Sequence, residues 1–143
     1  MMGCIKDLEF TVLVNGSPTG WFKSTIGLRQ GDLLPPYLFI LGSEVLTKLL
    51  KSEQNRRNLT DFYWGAGQQH ISHSLYADDC LIAVRATLRE ATVVNGVLKE
   101  YCKLSQQQVN YSKSNVVFGA GVLRRLRYKI MNKLEMVKTH CPI

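Results

Sequence analysis

Two short apolar segments, residues 71–77 and 80–84, are separated only by Asp78-Asp79, and a helix-start signal follows within three residues. Segments of this length, bounded by polar residues, predict strands. With two residues between them the connection has to be a tight antiparallel hairpin. The start signal is Thr87-Leu88-Arg89-Glu90. In that pattern the Thr hydroxyl and the Glu carboxylate each reach an orphan backbone N–H of the first helical turn. A hairpin running directly into a helix points to a mixed fold.

The rest of the chain extends the same pattern. Residues 9–14 are rich in Phe, Thr and Val, and Asn15-Gly16-Ser17-Pro18-Thr19-Gly20 interrupts them before Trp21 and Phe22. This predicts a second hairpin. Leu38, Leu41, Val45, Leu46 and Leu49 recur at helical spacing and predict a helix over about 36–52. Residues 53–69 are polar and glycine-bearing, with a short strand near Phe62-Tyr63-Trp64. Leu88, Ala91, Val94, Leu98 and Tyr101 or Cys102 form the stripe of a helix over 87–104, residues 114–118 a strand, and Leu123, Leu126, Ile130, Leu134 and Val137 the stripe of a helix over 122–138. Strands and helices in this order predict an α+β fold, with helices packed on one face of an antiparallel sheet.

The 143 residues suit one domain. No apolar run is longer than that of Tyr37 to Leu41, far short of the roughly 20 residues that span a bilayer. The N-terminus lacks a signal-peptide core, and Asp7 stands where a myristoylation signal wants Ser or Thr. Cys4, Cys80, Cys102 and Cys141 have no zinc-type spacing and read as free thiols. An intracellular protein without a membrane partner is expected, in nucleus or cytoplasm. The net charge of +7 is placed unevenly. Residues 1–98 hold nine Lys/Arg and nine Asp/Glu, whereas residues 99–143 hold nine Lys/Arg and only Glu100 and Glu135. This asymmetry points to an anionic partner, nucleic acid first, or to a solvated basic helix face.

Asp78-Asp79 reads in two ways. Asp is a favoured turn residue. Adjacent anions, however, repel, and a turn needs only one. Paired carboxylates at a strand junction suit divalent cations, and two such ions can clamp the attacking and leaving oxygens of phosphoryl transfer.

Tyr76-Ala77-Asp78-Asp79 resembles the catalytic Tyr/Phe-Ala-Asp-Asp motif of reverse transcriptases, and it does not stand alone. Upstream, Gly27-Leu28-Arg29-Gln30-Gly31-Asp32-Leu33-Leu34-Pro35-Pro36-Tyr37-Leu38-Phe39 is similar to the family block GLRQGDPLSPYLF. Downstream, Ser105-Gln106-Gln107-Gln108-Val109-Asn110-Tyr111-Ser112-Lys113-Ser114 is similar to SGQxxNxxKS. Val12-Leu13-Val14-Asn15-Gly16 matches a segment of LINE-type, non-LTR retrotransposon polymerases, especially those of plant genomes. The blocks keep family order and spacing over about residues 8–135. Leu33 and Pro35 replace the usual Pro and Ser, so that two adjacent prolines are expected to delay the helix start. Gln106 replaces a Gly and strains the turn if its φ is positive.

The resemblance implies a polymerase palm over 1–143, with RNA template, DNA primer and deoxynucleotides as partners. It implies two Mg²⁺ ions in the intact enzyme, with Asp78 as main metal ligand and Asp79 as accessory. It places Tyr76 near the primer end, Gln30 and Gly31 at the incoming nucleotide, and Lys113 as the proton donor to the leaving pyrophosphate. Arg29, Arg124, Arg125, Arg127, Lys129 and Lys133 would meet nucleic-acid backbone. A third catalytic Asp, in a motif such as DxxKAFD, and the fingers lie upstream of the matching blocks in the family, and the thumb downstream. Asp7 and Glu9 align with the strand after that motif. This chain is therefore expected to lack the fingers, the first Asp motif and the thumb. With two carboxylates of three, it is not expected to keep the ions or to act alone unless another chain supplies the remaining segments. The alternative is a non-catalytic retroelement relic, with weak nucleic-acid binding or no selected role.

Overall fold

A computed structural model describes residues 9–23, 34–60, 63–64, 69–70, 72–136 and 139–140. The protein is mixed α+β, as the hairpin and helix signals require, and falls into two compact units, Met1–Phe39 and Ile40–Ile143.

In the first unit, β1 (Glu9–Phe10) pairs antiparallel with β4 (Phe22–Lys23), and β2 (Leu13–Val14) pairs antiparallel with β3 (Ser17–Pro18). The chain turns at Asn15-Gly16, where φ is +51° and +79°. Two positive φ values in succession define the turn whose twist matches a hairpin, and Asn-Gly is its preferred sequence. The turn is therefore tighter than the six polar residues suggest, and Ser17 and Pro18 belong to the returning strand. Thr19 joins the two tiers: its N–H donates to the Val12 carbonyl (2.9 Å), and its carbonyl accepts from the Thr11 hydroxyl (2.8 Å). Phe10 stacks on Phe22 at 6.0 Å.

The first helix, α1 (Leu34–Asn55), is not delayed by its prolines. Pro35 and Pro36 fall in its first turn, where the N–H groups have no intrahelical acceptor anyway and φ near −65° suits the helix. It ends three residues beyond the expected 52. Arg57 takes a φ of +59°, the Asn58 N–H returns to the Glu53 carbonyl (2.9 Å), and Asn58 Nδ2 donates to the Glu53 carboxylate (2.7 Å).

In the second unit, β5 (Tyr63–Trp64) pairs antiparallel with β6 (Gln69–His70), and β7 (His73–Tyr76) with β8 (Asp79–Ile82). Then come α2 (Leu88–Ser105), β9 (Val116–Val117), α3 (Arg124–Leu134) and β10 (Thr139–His140), which lies parallel to β9. Among the described residues the strands form five separate two-stranded pairs, four of them antiparallel, where one antiparallel sheet was expected.

Two apolar clusters hold this unit. Leu46 and Leu50 of α1, Leu59, and Val94, Val97 and Tyr101 of α2 form the larger, with Ile82 and Val84 packed against it. Ala91, Phe118 and Ile130 form the smaller, with Leu126 and Leu134 of α3 on its flank. The Thr87 hydroxyl caps α2 by accepting from the Glu90 N–H (3.2 Å), as its sequence predicts. The return bond differs. The buried Glu90 carboxylate accepts from the Arg85 N–H (2.9 Å) and the Thr60 hydroxyl (2.7 Å), so that it ties the segment after α1 to the start of α2. The last helix is shorter than 122–138. Glu135 adopts a left-handed φ of +60°, and its N–H returns to α3 carbonyls.

Gln106 sits in the strained conformation that its place in the SGQ-like block suggested: φ is +60° and ψ +9° at the C-cap of α2. An L-residue there costs roughly 1–2 kcal/mol that glycine avoids. A bond from Gln106 Nε2 to the Lys103 carbonyl at 3.3 Å offsets little of this. Gln106→Gly is expected to stabilise the protein by about 0.5–1 kcal/mol, read as a higher urea midpoint at unchanged slope. A lower midpoint would show that the side chain matters more than the backbone strain.

Candidate functional site: the acidic tip of the central hairpin

Strands β7 and β8 pair in register from His73↔Ile82 to Tyr76↔Asp79, which leaves Ala77 and Asp78 as the two turn residues. Ala77 has a φ of +48° and Asp78 does not share the positive sign, the φ signature of a type II′ turn. Glycine is the residue such a turn prefers at its first central position. An alanine held there stores strain of order 1–3 kcal/mol, the kind of local cost that clusters at functional sites.

The hairpin is held at its base, and its tip is exposed. At the base, Ile82 packs on the larger cluster, and the Ala83 N–H donates to the Ser72 carbonyl (2.8 Å). His73 links the hairpin to α1: its Nε2 lies 3.1 Å from the Thr47 hydroxyl and its Nδ1 2.8 Å from the Ser72 hydroxyl. At the tip, Asp78 and Asp79 are exposed and consecutive, and the Tyr76 ring beside them is 81 % exposed. Two carboxylates offer only oxygen donors, which suits a hard cation that keeps most of its waters and shares substrate phosphates. Among the described residues no third His, Cys, Asp or Glu joins them. The tip therefore offers two adjacent exposed carboxylates and, among the described residues, no third ligand.

Other residues singled out in the sequence lie elsewhere. Lys113 is exposed in the turn after α2, where its N–H donates to the Asn110 carbonyl (3.1 Å) and the Ser112 hydroxyl donates to Asn110 Oδ1 (2.7 Å). No hydrogen bond or ion pair joins Lys113 to the hairpin among the described residues. Arg29, Gln30 and Gly31 lie outside the described residues. Arg124, Arg125, Lys129 and Lys133 are exposed on α3. Arg127 differs from them. Its Nε donates to the Val122 carbonyl (2.8 Å), its Nη2 to the Gly119 carbonyl (3.3 Å), and its guanidinium lies 5.8 Å from the Phe118 ring centre. Its charge serves the fold, so the basic surface is built by the other four. Among the described residues no helix is long and apolar enough to cross a membrane.

His73 is the residue that sequence reading missed. Its signal was there, a histidine at the start of a strand otherwise read for its apolar members. Burial pushes its pKa below the ordinary value of 6.5, the Lys51 cation adds to that, and the Glu44 carboxylate opposes it. A folded pKa below the unfolded one means that the unfolded chain binds the proton first. The neutral ring's contribution is complete above pH 6.5 and is lost as pH falls from there through the lower folded value. The thermal midpoint of the protein is expected to drop between pH 7.5 and 5.5, and to drop less in His73→Gln. Equal drops in both would remove His73 as the cause.

A fold of mixed class with an exposed carboxylate hairpin is thus what the geometry defines. No protein-family model matches the chain, and no solved structure matches it. Among curated proteins, it is 43% identical over 67 residues to an uncharacterized mitochondrial protein of Arabidopsis thaliana. The match takes in 47% of this chain and 55% of that protein, so the chain spans about half the length of the curated relative it matches.

Proposed function

We propose that the chain is part of an RNA-directed DNA polymerase of the non-LTR retroelement type, and that the β7/β8 tip is its metal-binding edge. The observation that carries this reading is the placement of Tyr76-Ala77-Asp78-Asp79. The motif lies at an exposed, strained two-residue turn, with the hairpin base fixed to helix α1. The order of the flanking blocks agrees with it.

In this reading Asp78 and Asp79 would hold Mg²⁺ from one side. When bound, Mg²⁺ would neutralise charge on the phosphates and lower the pKa of the attacking primer hydroxyl. Other residues of this chain have further roles in this reading. Tyr76 offers a flat aromatic surface beside the carboxylates for the primer terminus. Lys113 donates a proton to the departing pyrophosphate, if the completed enzyme brings its turn to the tip. Gln30 and Gly31 meet the incoming nucleotide, with Arg29 on the template phosphates. A second reading, a retroelement-derived protein without catalysis, is favoured by one observation: the carboxylate pair has no third partner among the described residues.

Primer extension tests the proposal. With an RNA template and Mg²⁺ or Mn²⁺, the 143-residue polypeptide is expected to give no product, because two carboxylates do not fix both ions or the attacking oxygen. Joined to a segment that carries polymerase fingers and an upstream catalytic Asp, it is expected to extend the primer. Product from the polypeptide alone, absent in Asp78→Asn/Asp79→Asn, would overturn the need for the further ligand. A joined chain that folds and stays inactive would overturn the assignment.

A further inference from the structure

We propose that His73 is a positioning residue for the acidic tip: its ring, held by the Thr47 hydroxyl of α1, sets the tilt of the β7/β8 hairpin and so the place of the Asp78 and Asp79 carboxylates, and the hold is lost in acid. The consequence for catalysis rests on the polymerase reading above; the hold itself does not.

The hairpin overhangs the core. Side chains alternate along a strand, so His73 and Leu75 of β7 share a face with Ile82 and Cys80 of β8. On that face Ile82 packs on the larger cluster, and the His73 ring reaches Thr47, which is buried in α1. One pair further along, Leu75 and Cys80 are both exposed. The opposite face, Ser74 and Tyr76 with Leu81 and Asp79, is exposed throughout. The hairpin is therefore gripped at its base pair and exposed from there on.

A grip of this kind has leverage. At about 3.4 Å of rise per residue, Tyr76 and Asp79 stand roughly 10 Å beyond the His73↔Ile82 pair. A tilt of about 10° at the base then carries the carboxylates through roughly 2 Å. A misplacement of about 1 Å can cost on the order of a hundredfold in rate.

Protonation governs the grip. A neutral imidazole has one N–H and one bare nitrogen, so between the Thr47 and Ser72 hydroxyls it donates to one and accepts from the other. A second proton removes the acceptor, and the hydroxyl that donated has to turn away. α1 sets the Lys51 cation and the Glu44 carboxylate near the ring, β8 sets Ile82 across from it, and α2 adds Val94, Val97 and the phenol of Tyr101 to the cluster that Ile82 packs on. Burial, with the help of Lys51, outweighs Glu44 and holds the ring's pKa below 6.5. The charged ring is therefore more stable in water than against α1, and acid favours the released hairpin.

Two measurements separate the hold from its consequence. The first is NMR of the full chain between pH 7.5 and 5.5 in about 0.1 M salt, where the field of an imidazolium is screened within about 10 Å. The Ala77, Asp78 and Asp79 amide resonances are expected to move with the same midpoint as the His73 ring, and to stay flat in His73→Gln, which carries the same carboxylates. Thr47→Val keeps the shape but not the hydroxyl. It is expected to show at pH 7.5 the tip resonances that the parent shows in acid, and Thr47→Ser those of the parent at pH 7.5. Circular dichroism checks that each variant keeps its helices. Tip resonances that stay flat while the ring titrates, or that move equally in His73→Gln, would overturn the hold. The second measurement is single-turnover primer extension by the joined chain described above. Thr47→Val is expected to slow it about ten- to a hundredfold with the nucleotide KM unchanged, and Thr47→Ser to restore it. An unchanged rate in a folded Thr47→Val, or the same loss in Thr47→Ser, would overturn the positioning role. A folded joined parent without activity would overturn the polymerase reading instead, and the resonances would still decide the hold.

Discussion

Leu50→Ala is expected to destabilise the protein by about 2–5 kcal/mol, a large part of the 5–15 kcal/mol that typical domains possess. Leu50 is 1 % exposed and lies in the cluster that joins Leu46 of α1 to Val94, Val97 and Tyr101 of α2 and to Leu59. Truncation removes its transfer free energy and leaves a cavity between two helices. Neither helix can collapse freely, because the Glu90 carboxylate bonds Thr60 at one end and His73 bridges α1 to the hairpin. Leu41 makes the comparison. It is on the same helix but 67 % exposed, and Leu41→Ala is expected to change stability by less than about 0.5 kcal/mol. Urea unfolding of the pair measures the difference. Equal losses would mean that α1 does not pack as described.

The same two leucines mark how far the helix was legible. Periodicity placed α1 correctly and put Leu41 on its buried stripe, yet burial centres on Leu46 and Leu50. Leu49 and Leu50 are both apolar and stand about 100° apart on the helix, so hydropathy cannot choose between them. The partner chooses, and the partner is α2. Local chemistry was more informative where it is self-contained. Thr87 caps α2, Asn15-Gly16 turns the first hairpin, and Gln106 is strained, each through its own backbone or side chain. Pairing between segments far apart, such as parallel β9 and β10, leaves no local mark. The same limit applies to the division of the strands into separate pairs.

The candidate site divides along the same line. Two apolar strands around Asp78-Asp79 make the hairpin readable, and the tip follows from its length. The docking of His73 on Thr47, 26 residues away in sequence, depends on the packing of two elements and was not readable. Arg127 shows the converse. By residue type it reads with the cations, but seven residues before Leu134 it stands at the edge of the apolar stripe, where Phe118 and the Gly119 and Val122 carbonyls take it up.

The largest effect is expected at the tip itself. Transferring residues 73–82 into the corresponding hairpin of an active non-LTR reverse transcriptase isolates the claim from everything else in the chain. The transferred strands carry their own register, from His73↔Ile82 to Tyr76↔Asp79, and their own turn. The host supplies the further carboxylate, the fingers and the thumb. Holding the ions is worth several kcal/mol of transition-state charge stabilisation. At about 1.4 kcal/mol per factor of ten, losing both carboxylates should cost on the order of a thousandfold or more in rate. Single-turnover primer extension on an RNA template therefore decides the matter. A graft within about tenfold of its host is expected, with at least a thousandfold slower extension when the graft carries Asp78→Asn/Asp79→Asn. A folded graft that is inactive with both aspartates present, or equally active without them, would contradict it.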